Sequence, residues 1–433
     1  GGSSLQLVGV AAPFSVMTEC AKCGACSVVC PVFRISGREG HTARGRLHLR
    51  ETVELAPHSA QYEELFSACL LCGACAAVCP RGIDIRAAII EARAGFSAVY
   101  GHGGYQKFLA RKALAHPGLL AALGGLGRGV AAGLDPFLSD RSGLRLRLAL
   151  FEDSEKVQGN KALAQTVSPG TELSESGLTE MAYFPGCVTH ALWPHIADSC
   201  ATLVAQYNLA LTIPDGLVCC GLAAHAAGDR SEARALACRN LQVLERTDGP
   251  ILVSCASCYA HLHDYPKLLA EEPDWHERAL QMVERLRELT TFLMQQAHLE
   301  SPVLPVPRPR RRVFYHDPCH FRHQLHITAP PRELIRSCPG LELVEPEDEP
   351  GCCGMGGLFH LGEPELSGAI LEQLLDRVLP LEPEVITSTC SGCLMQWRMA
   401  VAAAGLKIPV VHLAALLAEE AGLCEKVGSG SRG

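Results

Sequence analysis

From residue 181 onward the apolar positions change period in a recurring way. Short runs of apolar, aromatic or β-branched residues at 181–184, 251–253, 313–315 and 385–387 have the length and content of strands buried on both faces. Between them lie longer stretches with helical spacing, so strand and helix alternate as in an open α/β sheet. Upstream the period is helical: a run from Leu47 to Leu55, another from Ile85 to Phe96, and residues 100–150 with breaks at Gly101-His102-Gly103-Gly104 and Pro117-Gly118. Residues 1–19 read as a lead-in, and 152–180, rich in Ser, Glu, Gly and Thr, as a linker or long loop.

The most apolar stretch, 118–134, carries Arg128 and six glycines, too short and interrupted to span a bilayer. It is expected to form a soluble helix pair, with an amphipathic segment lying on a membrane surface as the other reading. At 433 residues, 48% hydrophobic and 19% charged, the chain is long enough for two to four domains with sizeable cores. A net charge of −8 without a long basic stripe argues against nucleic-acid binding. The 22 cysteines come without a charged n-region, apolar h-region and cleavage site. Metal-bound thiolates in the cytoplasm are expected rather than disulfides.

Eight of those cysteines form two copies of C-x2-C-x2-C-x3-C-P: Cys20, Cys23, Cys26, Cys30 with Pro31, and Cys69, Cys72, Cys75, Cys79 with Pro80. This run holds the paired [4Fe–4S] clusters of bacterial ferredoxins, where the fourth cysteine of each copy serves the other cluster. Cys20, Cys23, Cys26 and Cys79 are therefore expected around one cluster, and Cys69, Cys72, Cys75 and Cys30 around its neighbour. Gly24 and Gly73 would let the loop pass close to inorganic sulfur, and the prolines would restrain the backbone after the last ligand. Paired zinc sites are the competing reading of C-x2-C, weakened here by the tandem copies and the trailing C-P. Arg44 and Arg46, between the copies, are candidates for offsetting cluster charge or for plain surface residues.

Beyond residue 181 the chain duplicates itself. The halves read C-x31-CC-x34-C-x2-C through Cys187, Cys219, Cys220, Cys255 and Cys258, and C-x32-CC-x36-C-x2-C through Cys319, Cys352, Cys353, Cys390 and Cys393. The cysteines fall at the C-terminal ends of the expected strands, where open α/β sheets bind ligands. An adjacent Cys-Cys pair is too strained for a mutual disulfide but can serve adjacent irons, with Gly221 and Gly354 permitting the tight backbone. Five thiols are one more than a cubane needs, so a non-cubane cluster and an ordinary cubane with a spare cysteine both stand. His190, His225, His261, His263, His316 and His320 are candidates for proton relay or for contacts behind the ligands, against ordinary packing. Cys200, Cys238, Cys338 and Cys424 lie outside both patterns and are expected as buried small hydrophobes.

Two ferredoxin motifs followed by two Cys-Cys-Gly repeats resemble the iron–sulfur subunits of glycolate oxidase over nearly the whole chain. The layout is also similar to that of lactate-utilisation and D-lactate dehydrogenase systems, anaerobic glycerol-3-phosphate dehydrogenase and heterodisulfide reductase. Ala43-Arg44-Gly45-Arg46-Leu47 is similar to the Arg-Gly-Arg stretch of the glycolate/lactate branch. The complete cysteine sets, in contrast, resemble the heterodisulfide reductase catalytic subunit. The resemblance implies an α/β chain with a helical bis-[4Fe–4S] ferredoxin domain at 1–100, a helical connection at 101–180, and Cys-Cys-Gly domains at 181–302 and 303–433. These would hold two [4Fe–4S] clusters and one or two further clusters. No Gly-x-Gly-x-x-Gly stands between a strand and a helix, so FAD is expected on a partner dehydrogenase subunit. The implied role is to relay electrons from a 2-hydroxy acid to a quinone or other carrier, without a transmembrane span but with peripheral membrane contact. The alternative is a disulfide-cleaving enzyme.

Overall fold

The computed structural model describes residues 20–52, 59–116, 118–120, 122, 179–297, 309–348 and 351–429. The lead-in, most of the apolar stretch 118–134, the linker to residue 178, residues 298–308 and the Cys424 side chain lie outside the description. No helix among the described residues is long and apolar enough to cross a membrane.

The duplicated region forms two four-stranded, all-parallel sheets. In the first, β1 (Thr179–Phe184), β2 (Leu209–Thr212), β3 (Ile251–Val253) and β4 (Leu286–Glu288) stand in the order β2-β1-β3-β4. In the second, β5 (Arg311–Tyr315), β6 (Leu341–Leu343), β7 (Val385–Ser388) and β8 (Val410–His412) stand as β6-β5-β7-β8. Registers match across the duplication: Ala182 faces Ile251 and Phe184 faces Val253, while Val313 faces Val385 and Tyr315 faces Thr387. Sheets covered on both faces need unbroken apolar strands, and Ile251, Leu252 and Val253 are all fully buried. The chain runs outward from β1 to β2 and back across to β3, which places the topological switch point between β1 and β3, and again between β5 and β7. One apolar core runs through both halves, joining Tyr183, Leu252 and Phe292 to Phe314, Trp397 and Leu413.

The N-terminal domain is helical throughout its described part. Helix Ala43–Thr52 begins earlier than the apolar spacing indicates, because Ala43 and Arg46 are themselves buried, and helix Ile85–Ala94 stops at Gly95. The N-terminal domain has its own small core (Leu47, Phe66, Ile83, Ile89) and a second shared with the far half, where Val32 and Leu70 meet Phe359 and Ile370.

Gly45 shows why the Arg-Gly-Arg stretch carries a glycine. A Cβ there would stand 2.1 Å from the Glu39 carbonyl oxygen, since the helix crosses the preceding turn at backbone contact. Gly45→Ala is expected to destabilise the N-terminal domain by about 3 kcal/mol, the upper range for overpacking, read as a lower thermal midpoint.

Candidate metal centres

The two N-terminal motifs fold into loops of the same shape. Lys22 (φ 51°) and Leu71 (φ 54°), each just before the second cysteine of its copy, are left-handed although neither is glycine. Gly24 (φ 81°) and Gly73 (φ 82°) follow in the same region and start short helices. Positive φ is what requires glycine there: the atoms nearest their absent Cβ belong to Arg44, Arg86 and His323. Such strain, repeated at matching positions, marks loops shaped around a ligand.

The chain then crosses between motifs. Cys20, Cys23, Cys26 and Cys79 line one cavity, and Cys30, Cys69, Cys72 and Cys75 line another. Among the described residues no carboxylate lines either. Lys22, Arg44 and Arg81 border the first cavity, and Arg46 and Arg86 the second. Arg44 pairs with Glu39 at 2.7 Å and donates to the Lys22 carbonyl. Arg46 is 2% exposed and donates to the carbonyls of Leu65 (2.8 Å), Ala68 (2.6 Å) and His41. Burial pushes the Cys72 thiol well up and Cys75 up to about 12, so without a metal both hold their protons. Four sulfurs in a cationic, acid-free cavity fit an anionic iron–sulfur cluster. The thiols stand too far apart to close on a single ion: among the described residues, the one group of three donors within 4.8 Å of each other is elsewhere.

In the duplicated domain, Cys187 follows β1 and Cys255 and Cys258 follow β3, on either side of the switch point. Cys219 and Cys220 come in from the loop after β2. Gly221 and Gly354 both take positive φ behind the paired cysteines. Thiols in each set lie close enough to share protons. Cys219 and Cys255 are held well below the ordinary thiol value, first by bonds from Cys187 and Cys258, while Cys187, Cys220 and Cys258 are raised. In the second set Cys353 is the lowered thiol, first through its bond from Cys352. Cys352 and Cys393 are raised, and burial first pushes Cys319 up to about 11. Thiols linked pairwise at the strand ends of each repeat fit a cluster.

Three contacts are invisible in the sequence. Cys255 touches Cys390 across the two halves, with Ser257 Oγ 3.0 Å from Cys390 Sγ and Ser391 Oγ 3.4 Å from Cys255 Sγ. Cys30, Cys72 and Cys352 all pack against the core shared by the N-terminal domain and the second half, where Cys72 and Cys352 are neighbours and Cys319 also raises Cys72. Two arginines of helix Ile85–Ala94 tie the domains. Arg93 donates to the carbonyls of Phe66, Ser67, Cys69 and, at 2.7 Å, Ala226. Arg86 bonds Gln324 of the second half and lies 3.7 Å from Asp264 of the first.

Of the candidate histidines, His190 and His263 are exposed. His225 and His261 stack at 5.2 Å with both pKa values lowered by burial, His225 to about 4. His320 is half-buried beside Ser257 (3.3 Å) and Cys319 (3.8 Å), and His316 lies among the second-half thiols. Cys200 is fully buried, with its thiol 3.7 Å from the Tyr183 hydroxyl, but Cys238 and Cys338 are only half-buried, each at the margin of a core.

Residues 16–83 match the 4Fe-4S dicluster domain, and residues 181–263 and 313–398 each match the cysteine-rich domain. The chain is 28% identical over 427 residues to the probable glycolate oxidase iron-sulfur subunit of Bacillus subtilis (strain 168), covering 94% of each chain. Lactate utilization protein A of an Exiguobacterium species is 28% identical over 243 residues, 56% of this chain and 98% of that one. Matching both domain types, the chain belongs to the iron–sulfur proteins that join a 4Fe-4S dicluster domain to a pair of cysteine-rich domains.

Proposed function

We propose that this chain is the electron-transferring iron–sulfur subunit of a flavin-dependent 2-hydroxy acid dehydrogenase, acting on glycolate or lactate. Cys20, Cys23, Cys26 and Cys79 would hold one [4Fe–4S] cluster, Cys69, Cys72, Cys75 and Cys30 the second, and each cysteine-rich repeat a further cluster. The observation that carries the reading is the continuity of the thiols. Cys72, of the second cavity, neighbours Cys352 and Cys319 of the second repeat, and Cys390 of that repeat touches Cys255 of the first. Electrons entering at the N-terminal pair thus meet the second repeat before the first. The clusters supply one-electron redox chemistry. The chain sets their surroundings: Arg44 and Arg46 each place a cation at one N-terminal cavity, and the desolvation that raises the Cys72 and Cys75 thiols lowers the polarity around the second. The names of the relatives support the substrate class, and a partner subunit would supply FAD. Quinone or another carrier would take the electrons, with any membrane contact peripheral.

The test mixes the anaerobic chain with the flavoprotein partner and glycolate or lactate, following cluster bleaching. Bleaching is expected only with the partner present; oxidation of a hydroxy acid by this chain without flavin overturns the reading.

The five-thiol sets meeting at Cys255 and Cys390 favour a second reading, disulfide cleavage at a repeat cluster. It requires an oxidised-state paramagnetic signal that changes when thiol is added, and a signal indifferent to thiol removes it.

A further inference from the structure

The two repeats match cysteine for cysteine but not in what surrounds the sulfurs. From the end of β1 the chain reads Tyr183-Phe184-Pro185-Gly186-Cys187, and from the end of β5 Tyr315-His316-Asp317-Pro318-Cys319. The tyrosines keep matching roles, with their hydroxyls against Ser254 (2.7 Å) and Thr389 (3.2 Å), each just before the C-x2-C. Against that frame a fully apolar residue, Phe184 at 1% exposure, is replaced by His316, also at 1%. A buried imidazole normally finds hydrogen-bond partners for its nitrogens. The Nδ1 of His316 has none. A ring nitrogen of His316 and the sulfurs of Cys353 and Cys393 lie within 4.8 Å of one another, and His316 bears directly on Cys353. The position is fixed from all sides: the His316 amide donates to the Thr387 carbonyl (2.8 Å), its carbonyl accepts from Ser388 Oγ (2.9 Å), and its ring packs edge-on to Trp397 at 5.8 Å.

We propose that the repeats hold chemically different centres: the first is ligated by thiolates alone, whereas in the second the imidazole of His316 ligates an iron that Cys353 and Cys393 also bind. The inference rests on the reading that the second repeat holds a cluster. His316 would take an iron site that a thiolate fills in the first repeat, leaving one of the five second-repeat cysteines off the cluster. Exchanging an anionic thiolate for neutral imidazole raises a cluster's potential. The second centre is therefore the higher in potential of the repeat pair, placing an electron sink beside Cys72.

The experiment uses the full chain, purified anaerobically, with histidine in 14N and 15N forms. Pulsed EPR of the repeat-centre signals is expected to show a strong nitrogen coupling that changes with the histidine isotope and vanishes in His316→Phe. Phenylalanine already fits the same frame in the first repeat, and the wild-type isotope comparison needs no variant. In a redox titration the coupled signal is expected to appear at higher potential than the uncoupled one. If Cys353→Ala lowers the iron content but no histidine coupling is found in wild type, this inference falls and the relay reading stands. If wild type itself holds only about eight irons per chain, the content of two cubanes alone, and Cys353→Ala does not change it, both fall. Zinc bound in place of iron, released in His316→Phe, overturns the assignment of the metal.

Discussion

Cys72→Ala is expected to lower the iron content by about four per chain and to bring electron arrival at the repeats to background. Cys72 is one of four thiols at the second cavity and is the one that Cys319 and Cys352 approach. Its loss therefore removes a cluster and breaks the junction between domains together. Iron and sulfide analysis checks the first effect, and reduction of the repeat signals by partner-supplied electrons checks the second. Cys79→Ala separates crossed from uncrossed ligation. Although it belongs to the second motif, its loss should abolish the centre of Cys20, Cys23 and Cys26 and spare that of Cys69, Cys72 and Cys75. Cys200→Ala, which removes a thiol buried against Tyr183 outside every set, should keep all its iron. Full iron in Cys72→Ala would refute the ligand assignment at that cavity.

What the sequence makes legible is what is local or repeated. The strands β1, β3, β5 and β7 announce themselves because strands buried on both faces need unbroken apolar runs, and the cysteine spacing carries the duplication. Their short outer neighbours do not stand out: β2 (Leu209–Thr212) has one buried residue, and β6 (Leu341–Leu343) alternates with Glu342 exposed. Such strands exist because a central strand offers them a parallel partner, which no local pattern records. The relation of the domains is equally illegible. Arg86 and Arg93 sit on one amphipathic helix and look like its solvent face, yet both are committed to partners well over a hundred residues away. The His316 difference is present in the sequence at a fixed offset from β5. Only the closeness of Cys353 and Cys393, each remote in the chain, gives it chemical meaning.

The position of Arg46 decides between the two roles its sequence allows, and leads to the second large effect. It borders the Cys30, Cys69, Cys72 and Cys75 cavity, so its charge stands beside those sulfurs and lowers the Cys30 and Cys75 thiols against the rise that burial imposes. Yet it is no surface cation, since its guanidinium is spent on backbone carbonyls. Leu65 and Ala68 belong to the segment that delivers Cys69, and His41 to the turn beneath helix Ala43–Thr52. Arg46→Ala strands these acceptors in a buried space. Hydrogen bonds from a charged donor contribute about 1.5–3 kcal/mol each and are not additive, so the domain should lose about 3–5 kcal/mol. The expected result is a lower thermal midpoint together with loss of the second cluster, because the loop bearing Cys69 is no longer held. Arg46→Lys keeps the charge but cannot reach three carbonyls at once, and should recover only part of the stability. If Arg46→Lys matched wild type in both melting and iron content, charge alone would be the residue's contribution and the backbone anchoring would be incidental.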